Sequence, residues 1–245
     1  MRYLIVLIAC SLLFAGCSTK IDVHPSGGYD TLGIHWMTIE RNNAIYYFQG
    51  TGEKGASVYT DMYEHSYDTL ASVFKPKLPR KLRFFVWTDW VQARQILNYP
   101  LSFAQGSKCE CHSRVNQQLG HEMTHIITYW ADGVPWSSYS RLVTEGVAVA
   151  FDLTHDDRIA KAKSALKGQN IHSVADLWSG SYQEAEEKVF YPIAGAFMDF
   201  MFKKGLREKF DALIKNQTQA EAEIIYGKEQ LDALIKEFDG TVGLH

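Results

Sequence analysis

Two histidines and two glutamates are spaced so that three of them could bind a metal ion while the fourth, a glutamate, accepts a proton. His121, Glu122 and His125 lie in the run His-Glu-Met-Thr-His, and Glu145 follows after nineteen further residues. On a helix, positions i and i+4 share a face, so His121 and His125 can each offer a ring nitrogen to one ion. A structural zinc site is closed by four protein ligands, whereas three ligands leave a position for water. The pattern therefore predicts one Zn²⁺ held by His121, His125 and Glu145, with Glu122 as the general base of a hydrolase.

The residues around the motif have the apolar spacing of helices. Apolar side chains recur at helical intervals at positions 115, 119, 123, 126, 127 and 130, and no proline interrupts this stretch. Glu145 follows a helix-ending segment and lies in the apolar run 142–153, so we predict that it belongs to a second helix antiparallel to the first. Asp152, at i+7 from Glu145, is a candidate to orient a ligand histidine. An ordinary solvated carboxylate is the alternative interpretation of both acidic residues.

These residues resemble the gluzincin zinc peptidases, in which His-Glu-x-x-His on one helix is followed by a Glu on the next, often within Glu-Gly-x-Ala. The segments 135–136 (Pro-Trp) and 144–148 (Thr-Glu-Gly-Val-Ala) look most like the peptidase-MA-like branch found in bacterial lipoproteins. The resemblance implies an α+β, thermolysin-like zincin fold, with a small twisted sheet packed on a helical half that carries the zinc. It also implies that Tyr191 stabilises the oxyanion. A core position for Tyr191, with Tyr182 in that role, is the alternative.

Three differences narrow the resemblance. A metzincin would need Gly at position 128 and His at position 131, but the chain has Thr128 and Ala131. Thermolysin-like enzymes have an acidic residue four positions after the ligand Glu, where this chain has Val149. The Gly-x-Met-Glu-Asn segment of aminopeptidases of the aminopeptidase-N type does not occur in the sequence, which argues against an aminopeptidase.

The first seventeen residues have the pattern of a secretion signal. A single basic residue precedes a short apolar stretch that ends in Phe14-Ala15-Gly16-Cys17. This end resembles a bacterial lipoprotein box, with Phe in place of the usual Leu, and implies cleavage before Cys17 and lipidation of its thiol. Ser18, in place of Asp, favours the outer membrane. We therefore expect a protein anchored in the membrane by its lipid and facing the periplasm of the cell envelope; a plain secretory signal is the alternative.

The remaining chain is long enough for one sizeable domain. We expect a signal peptide at 1–16, a polar tether at 17–30 and a single domain at 31–240. This domain would have a mostly sheet-bearing lobe at 31–114 and a helical lobe at 115–240. Strands are predicted at 34–39, 44–48 and 82–87, and helices at 57–74, 90–97, 160–167 and 185–204, with 99–114 irregular.

The charge of the chain argues against nucleic acid as a partner. The net charge is −3, and no run of lysines and arginines occurs.

The state of Cys109 and Cys111 is left open by the sequence. They could form a strained disulfide, remain free thiols or, with their neighbours in 109–112, bind a second zinc.

The sequence thus predicts a zinc metallopeptidase whose partners are a peptide or protein substrate and the membrane that holds its lipid. A non-catalytic envelope lipoprotein, in which the same fold serves as a binding module, is the rival from another class. A degenerate member of that kind should lose Glu122 first, because this residue is not a ligand, and Glu122 is present. Hydrolysis of a non-peptide amide or ester is a third possibility, since the ligands alone do not define the substrate.

Overall fold

The computed structural model describes residues 33–98, 102–115, 119–154, 156–180 and 186–244. The predicted signal peptide, lipidation site and tether lie outside the described residues, and so does Tyr182. The chain divides into two units, Met1–Ile34 and His35–His245. All helices, strands and site residues of the following sections belong to the second unit.

A small mixed sheet forms the first part of this unit. Its five strands are β1 (Trp36–Glu40), β2 (Ala44–Gln49), β3 (Leu82–Trp87), β4 (Phe103–Gln105) and β5 (Glu110–Arg114). They stand in the order β1-β2-β3-β5-β4. The three central strands β2, β3 and β5 run parallel, and the edge strands β1 and β4 are antiparallel to their neighbours. The prediction of a small sheet combined with helices is confirmed at this level.

The prediction that 99–114 is irregular was wrong. This segment supplies β4, a 3-10 turn over Gly106–Lys108 and β5, which lies between β3 and β4. The sequence of β5 shows no apolar alternation because its buried side chains are largely polar. They are accommodated by pairing: Glu110 accepts hydrogen bonds from Arg83 at 2.5 Å and from His112 at 2.9 Å.

Ten helices complete the described part of the chain. They are α1 (Glu53–Phe74), α2 (Trp90–Leu97), α3 (His121–Tyr129), α4 (Arg141–Ala150), α5 (Arg158–Leu166), α6 (Val174–Trp178), α7 (Glu187–Lys203), α8 (Arg207–Lys215), α9 (Gln219–Tyr226) and α10 (Lys228–Val242). The helices predicted at 57–74, 90–97, 160–167 and 185–204 correspond to α1, α2, α5 and α7, within a few residues at each end. Among the described helices, none combines the length and the apolar character needed to cross a membrane.

One face of the sheet packs against α1 and α3 and thereby fixes the motif helix. Tyr63 of α1 contacts Phe84 of β3, with ring centroids 4.3 Å apart. Met123 of α3 is fully buried in the same core. Cys111 of β5 lies with its Sγ 3.4 Å from the carbonyl oxygen of Glu122. The central strand β5 therefore contacts the backbone of α3 directly at the motif.

Helices α4 and α7 approach each other closely because glycines stand where they meet. A Cβ atom at Gly146 would lie 2.7 Å from the carbonyl oxygen of Ala194. A Cβ atom at Gly195 would overlap Val149. The glycine that follows Glu145 thus lets α7, which carries Tyr191, lie against the helix that carries Glu145.

We expect Gly146→Ala to lower the free energy of unfolding by about 1–3 kcal/mol, because the added methyl group overpacks this contact. Gly240→Ala is the matched control: Gly240 is an exposed residue of α10 and has nothing within 4 Å of its Cβ position. There the better helix propensity of Ala should raise stability by up to ~1 kcal/mol. Thermal and urea unfolding measure both changes. Equal stability of Gly146→Ala and the wild type would mean that α4 and α7 lie further apart.

Candidate metal centre

The motif helix α3 begins at His121 itself, so the prediction of a helix from position 115 was too long. Gly120 has φ +93°, a left-handed conformation that interrupts the helix before the motif. A side chain at this position would also meet Ser66, whose Oγ is 2.8 Å from the Cβ position. The carbonyl oxygen of Leu119 accepts a hydrogen bond from the backbone of Leu153 rather than from a helical partner. His121 and Glu122 therefore stand in the first turn of α3.

His121, His125 and Glu145 converge on one point. Their potential ligand atoms all lie within 4.8 Å of one another. Glu145 Oε2 is 3.3 Å from His121 Nε2 and 3.6 Å from His125 Nε2. The two imidazole rings are nearly perpendicular, with centroids 5.0 Å apart. The three residues predicted as ligands thus form a group that could bind a metal ion, and no second group of this kind occurs among the described residues.

The donor set is one that zinc accepts, and two of its three spacings agree with zinc. Ligand atoms that are about 2.0–2.1 Å from a tetrahedral Zn²⁺ stand ~3.3 Å from one another. The two distances from Glu145 to the histidines are close to this value and longer than an ordinary charged hydrogen bond of about 2.8 Å. Two imidazole nitrogens with one carboxylate oxygen are ligands that Zn²⁺ accepts and that leave its fourth position open.

The charge on Glu145 is favoured by its neighbours. Burial alone would raise the pKa of this carboxyl, but the imidazoles of His121 and His125 outweigh that effect and hold the pKa well below its usual range. Its helix is fixed at the N-terminus by Gln217, which sequence reasoning missed. The side-chain oxygen of Gln217 accepts hydrogen bonds from the backbone of Ser140 and from the hydroxyl of Thr144. Glu145 is therefore anionic and stands on a well-anchored helix.

Glu122 lines the same cavity without belonging to the ligand group. Its side chain is buried, with 5% of the residue exposed. Burial raises the pKa of Glu122 to about 7; the charge of His121 lowers it and that of Glu145 raises it. A carboxylate with a pKa near neutrality can both take up and release a proton at physiological pH. These are the properties that a general base beside a metal-bound water requires.

Tyr191 of α7 also lines the cavity. Its ring centroid is 5.9 Å from that of His121. Burial, followed by the charge of Glu145, raises the pKa of Tyr191 well above its usual range, so its hydroxyl remains a neutral donor. Its position therefore suits hydrogen bonding to a group bound next to the histidines.

Asp152 does not stand on the same helix face as Glu145, because α4 ends at Ala150 and Asp152 lies in the following turn. Its Oδ1 accepts hydrogen bonds from Arg158 and from Thr154. Its Oδ2 and the Nδ1 of His121 are both buried and have no hydrogen-bond partner among the described residues. The Cα of Asp152 lies 3.6 Å from the Cβ position of Gly120, next to His121. Asp152 thus remains a candidate to orient His121, for a reason other than helical spacing.

Aromatic side chains form much of the wall of the metal cavity, whose volume is about 250 Å³. Four of them were not expected from the sequence: Phe103, Tyr129, Trp136 and Tyr139. They come from β4, from the end of α3 and from the segment between α3 and α4. The fold thus places aromatic side chains around the three residues that could bind a metal ion.

Cys109 and Cys111 are both buried free thiols, and no disulfide joins them. His112 is engaged elsewhere: its Nδ1 accepts from Trp87 at 3.1 Å and its Nε2 bonds Glu110. Residues 109–112 belong to the described part of the chain and do not form a group that could hold a metal ion. The structure therefore does not support a second zinc site in this segment.

No protein-family model matches this chain, and no curated protein matches it. The geometry and chemistry of the metal centre therefore carry the functional inference.

Proposed function

We propose that the protein is a zinc-dependent metallopeptidase that resembles the gluzincins and cleaves peptide bonds in the bacterial cell envelope. The observation that supports this proposal best is the convergence of His121, His125 and Glu145 in one cavity with Glu122, a buried carboxylate outside the ligand group. A structural zinc site is closed by four protein ligands and does not require a free carboxylate beside the metal.

His121, His125 and Glu145 would hold the zinc. A bound Zn²⁺ supplies two things in such a site: it lowers the pKa of a coordinated water, and it polarises a carbonyl group. Glu122 takes the proton of the attacking water and delivers it to the leaving amine, for which its pKa near 7 is suited. The hydroxyl of Tyr191 donates a hydrogen bond to the oxygen of the scissile carbonyl as negative charge develops on it.

We expect Tyr191→Phe to lower turnover by roughly ten- to a thousandfold, because the change removes one donor to the oxyanion. Zinc content and unfolding temperature should not change, since Tyr191 lies outside the candidate ligand group and the substitution keeps its partly buried ring. Tyr226→Phe is the control, because Tyr226 is buried in α9 and does not line the cavity. Steady-state kinetics on a cleaved peptide measure the effect. An unchanged rate would mean that another residue donates the hydrogen bond to the oxyanion, and Tyr182 would be tested next.

The activity itself is tested by digesting a peptide library with the purified protein. Cleavage that a zinc chelator abolishes and added Zn²⁺ restores is the expected result. Resistance of the cleavage to chelation would rule out zinc catalysis. The partners in this account are a peptide or protein substrate, with no role for nucleic acid.

We also propose that the mature chain is anchored to a membrane through Cys17 and faces the periplasm. The residues behind this expectation lie outside the described part of the chain. In cells, Cys17→Ala should move the protein from the membrane fraction to the soluble fraction, because a single lipidated cysteine provides the anchor. Immunoblots of the two fractions and labelling with a fatty-acid analogue measure this. A Cys17→Ala protein that still carries the label and sediments with membranes would refute the anchor.

A further inference from the structure

Three buried polar atoms without hydrogen-bond partners lie close to Gly120, the residue before the motif helix. They are the Oγ of Ser66 in α1, the Nδ1 of His121 and the Oδ2 of Asp152, and each residue is at most 6% exposed. Buried polar groups are almost always paired with protein groups or with ordered water. Three such atoms beside one backbone position therefore call for a common explanation.

Gly120 brings these residues together because it has no side chain. Ser66 Oγ lies 2.8 Å from the position that a Cβ atom of Gly120 would take, and the Cα of Asp152 lies 3.6 Å from the same position. His121 follows Gly120 directly in the chain. The three residues belong to α1, to the start of α3 and to the turn after α4. Polar groups of three separate elements thus meet at the start of the motif helix.

The two ring nitrogens of His121 have different surroundings. Its Nε2 faces the candidate ligand group, 3.3 Å from Glu145 Oε2. A neutral imidazole that binds a metal through Nε2 carries its proton on Nδ1. Histidines that bind metals almost always donate this second N–H to a carboxylate, a carbonyl group or water. The buried Nδ1 of His121 therefore needs an acceptor.

Asp152 is an acceptor that is held in place through its other oxygen. Its Oδ1 accepts hydrogen bonds from Arg158 and Thr154, which leaves Oδ2 for a further donor. Asp152 Oδ2 and His121 Nδ1 do not bond each other, since neither atom has a partner. A group that bridges the two atoms would satisfy both.

A single water molecule meets this requirement. A buried water typically makes about three hydrogen bonds to groups that would otherwise be unpaired. It can accept from the Nδ1–H of His121 and from the hydroxyl of Ser66, and it can donate to Oδ2 of Asp152. All three unpartnered atoms would then have a partner.

From these observations we propose that Ser66 and Asp152 position His121 for metal binding through one buried water, which accepts a hydrogen bond from its Nδ1–H. Ser66 and Asp152 are then positioning residues, because they act on the metal only through the imidazole. This inference rests on the zinc centre of the proposed function, but it does not depend on peptide cleavage. It gives α1 a part in the metal centre.

The test is a double-mutant cycle on zinc affinity. Ser66→Ala, Asp152→Asn and the double variant are compared with the wild type by competition with a chromophoric chelator at one pH. The unfolding temperature of each metal-free protein is recorded. Ser72→Ala is the matched control, because Ser72 is an exposed residue of the same helix whose hydroxyl donates to the carbonyl oxygen of Thr69.

Asp152→Asn should weaken zinc binding by about 10- to 100-fold, the usual effect of losing an outer partner of a metal-bound histidine. Ser66→Ala should weaken it by about tenfold, the lower end of the same range. The double variant should lose about as much affinity as Asp152→Asn alone, because both residues act through one water. Ser72→Ala should bind zinc as the wild type does.

Unchanged zinc affinity in Asp152→Asn, or losses that multiply in the double variant, would overturn the inference. If Asp152→Asn does not fold because Arg158 loses its partner, Ser66→Ala decides alone, and unchanged affinity there overturns the inference. A crystal structure of the wild type should show the water between Ser66, His121 and Asp152, and a direct bond from His121 to Asp152 would contradict it. A wild type that binds no zinc would refute the zinc centre itself, and the crystal structure would still decide how His121 is held.

Discussion

Replacing Glu122 with Gln is expected to lower peptide hydrolysis by about two to four orders of magnitude, the usual contribution of a positioned general base. The amide has nearly the same shape as the carboxyl but cannot accept the proton of the attacking water. Zinc content should stay the same because Glu122 lies outside the ligand group. The rate constants are measured on a peptide that the wild type cleaves, with metal content and unfolding temperature determined on the same preparations.

Glu208→Gln serves as the control for this experiment. Glu208 is an exposed carboxylate at the start of α8 and does not line the metal cavity, so its replacement should leave the rate unchanged. Hydrolysis that persists in Glu122→Gln would belong to another site or to a contaminant. The opposite result is a wild type that cleaves no peptide, while the wild type and Glu122→Gln bind zinc and an envelope partner equally well. That result would favour the binding module over the peptidase.

Removal of a ligand should have an equally large effect through the metal. We expect His125→Ala and Glu145→Ala to lose most of the bound zinc and with it the activity, because two remaining ligands make an incomplete site. Dialysis followed by elemental analysis measures zinc per chain, with a value near one expected for the wild type. His65→Ala is the matched control, since His65 is exposed on α1, outside the cavity.

The two ligand variants answer different questions. Loss of zinc in His125→Ala alone would support the motif but not the third ligand. Full retention of zinc in Glu145→Ala would show that Glu145 was wrongly assigned, whatever its distance from the histidines.

The sequence was most informative where a local pattern determines the structure. The strands β1, β2 and β3 consist largely of aromatic and β-branched residues, and all three were predicted. The spacing of His121 and His125 correctly placed both on one helix face, and the grouping of Glu145 with them follows from a second helix that was also expected.

Other features depend on contacts that periodicity does not record. The apolar spacing before His121 predicts a helix that begins earlier in the chain. The left-handed conformation of Gly120 and the hydrogen bond from Leu153 to Leu119 instead make the helix begin at His121. The polar strand β5 exists because Glu110 finds Arg83 and His112 as partners. The pairs Leu153–Leu119 and Arg83–Glu110 join residues far apart in the chain, so no short window of sequence contains them.

The surroundings of the site were the least predictable. Phe103 and Trp136 come from separate segments and line one cavity only because β4 and the segment after α3 both border it. Asp152 was selected by helical spacing, although its position near His121 results from the turn after α4. The three residues that could bind a metal ion could thus be predicted from the sequence, whereas the walls of their cavity required the fold.

Diffraction data collected on both sides of the zinc absorption edge would decide whether the protein has a catalytic zinc centre. For crystals of the protein from Ser18 onward, purified without chelators, we expect one anomalous peak bounded by His121, His125 and Glu145, with a water in the fourth position. A peak bounded by other residues, a fourth protein ligand, or no peak in crystals grown with added zinc would contradict a catalytic zinc centre.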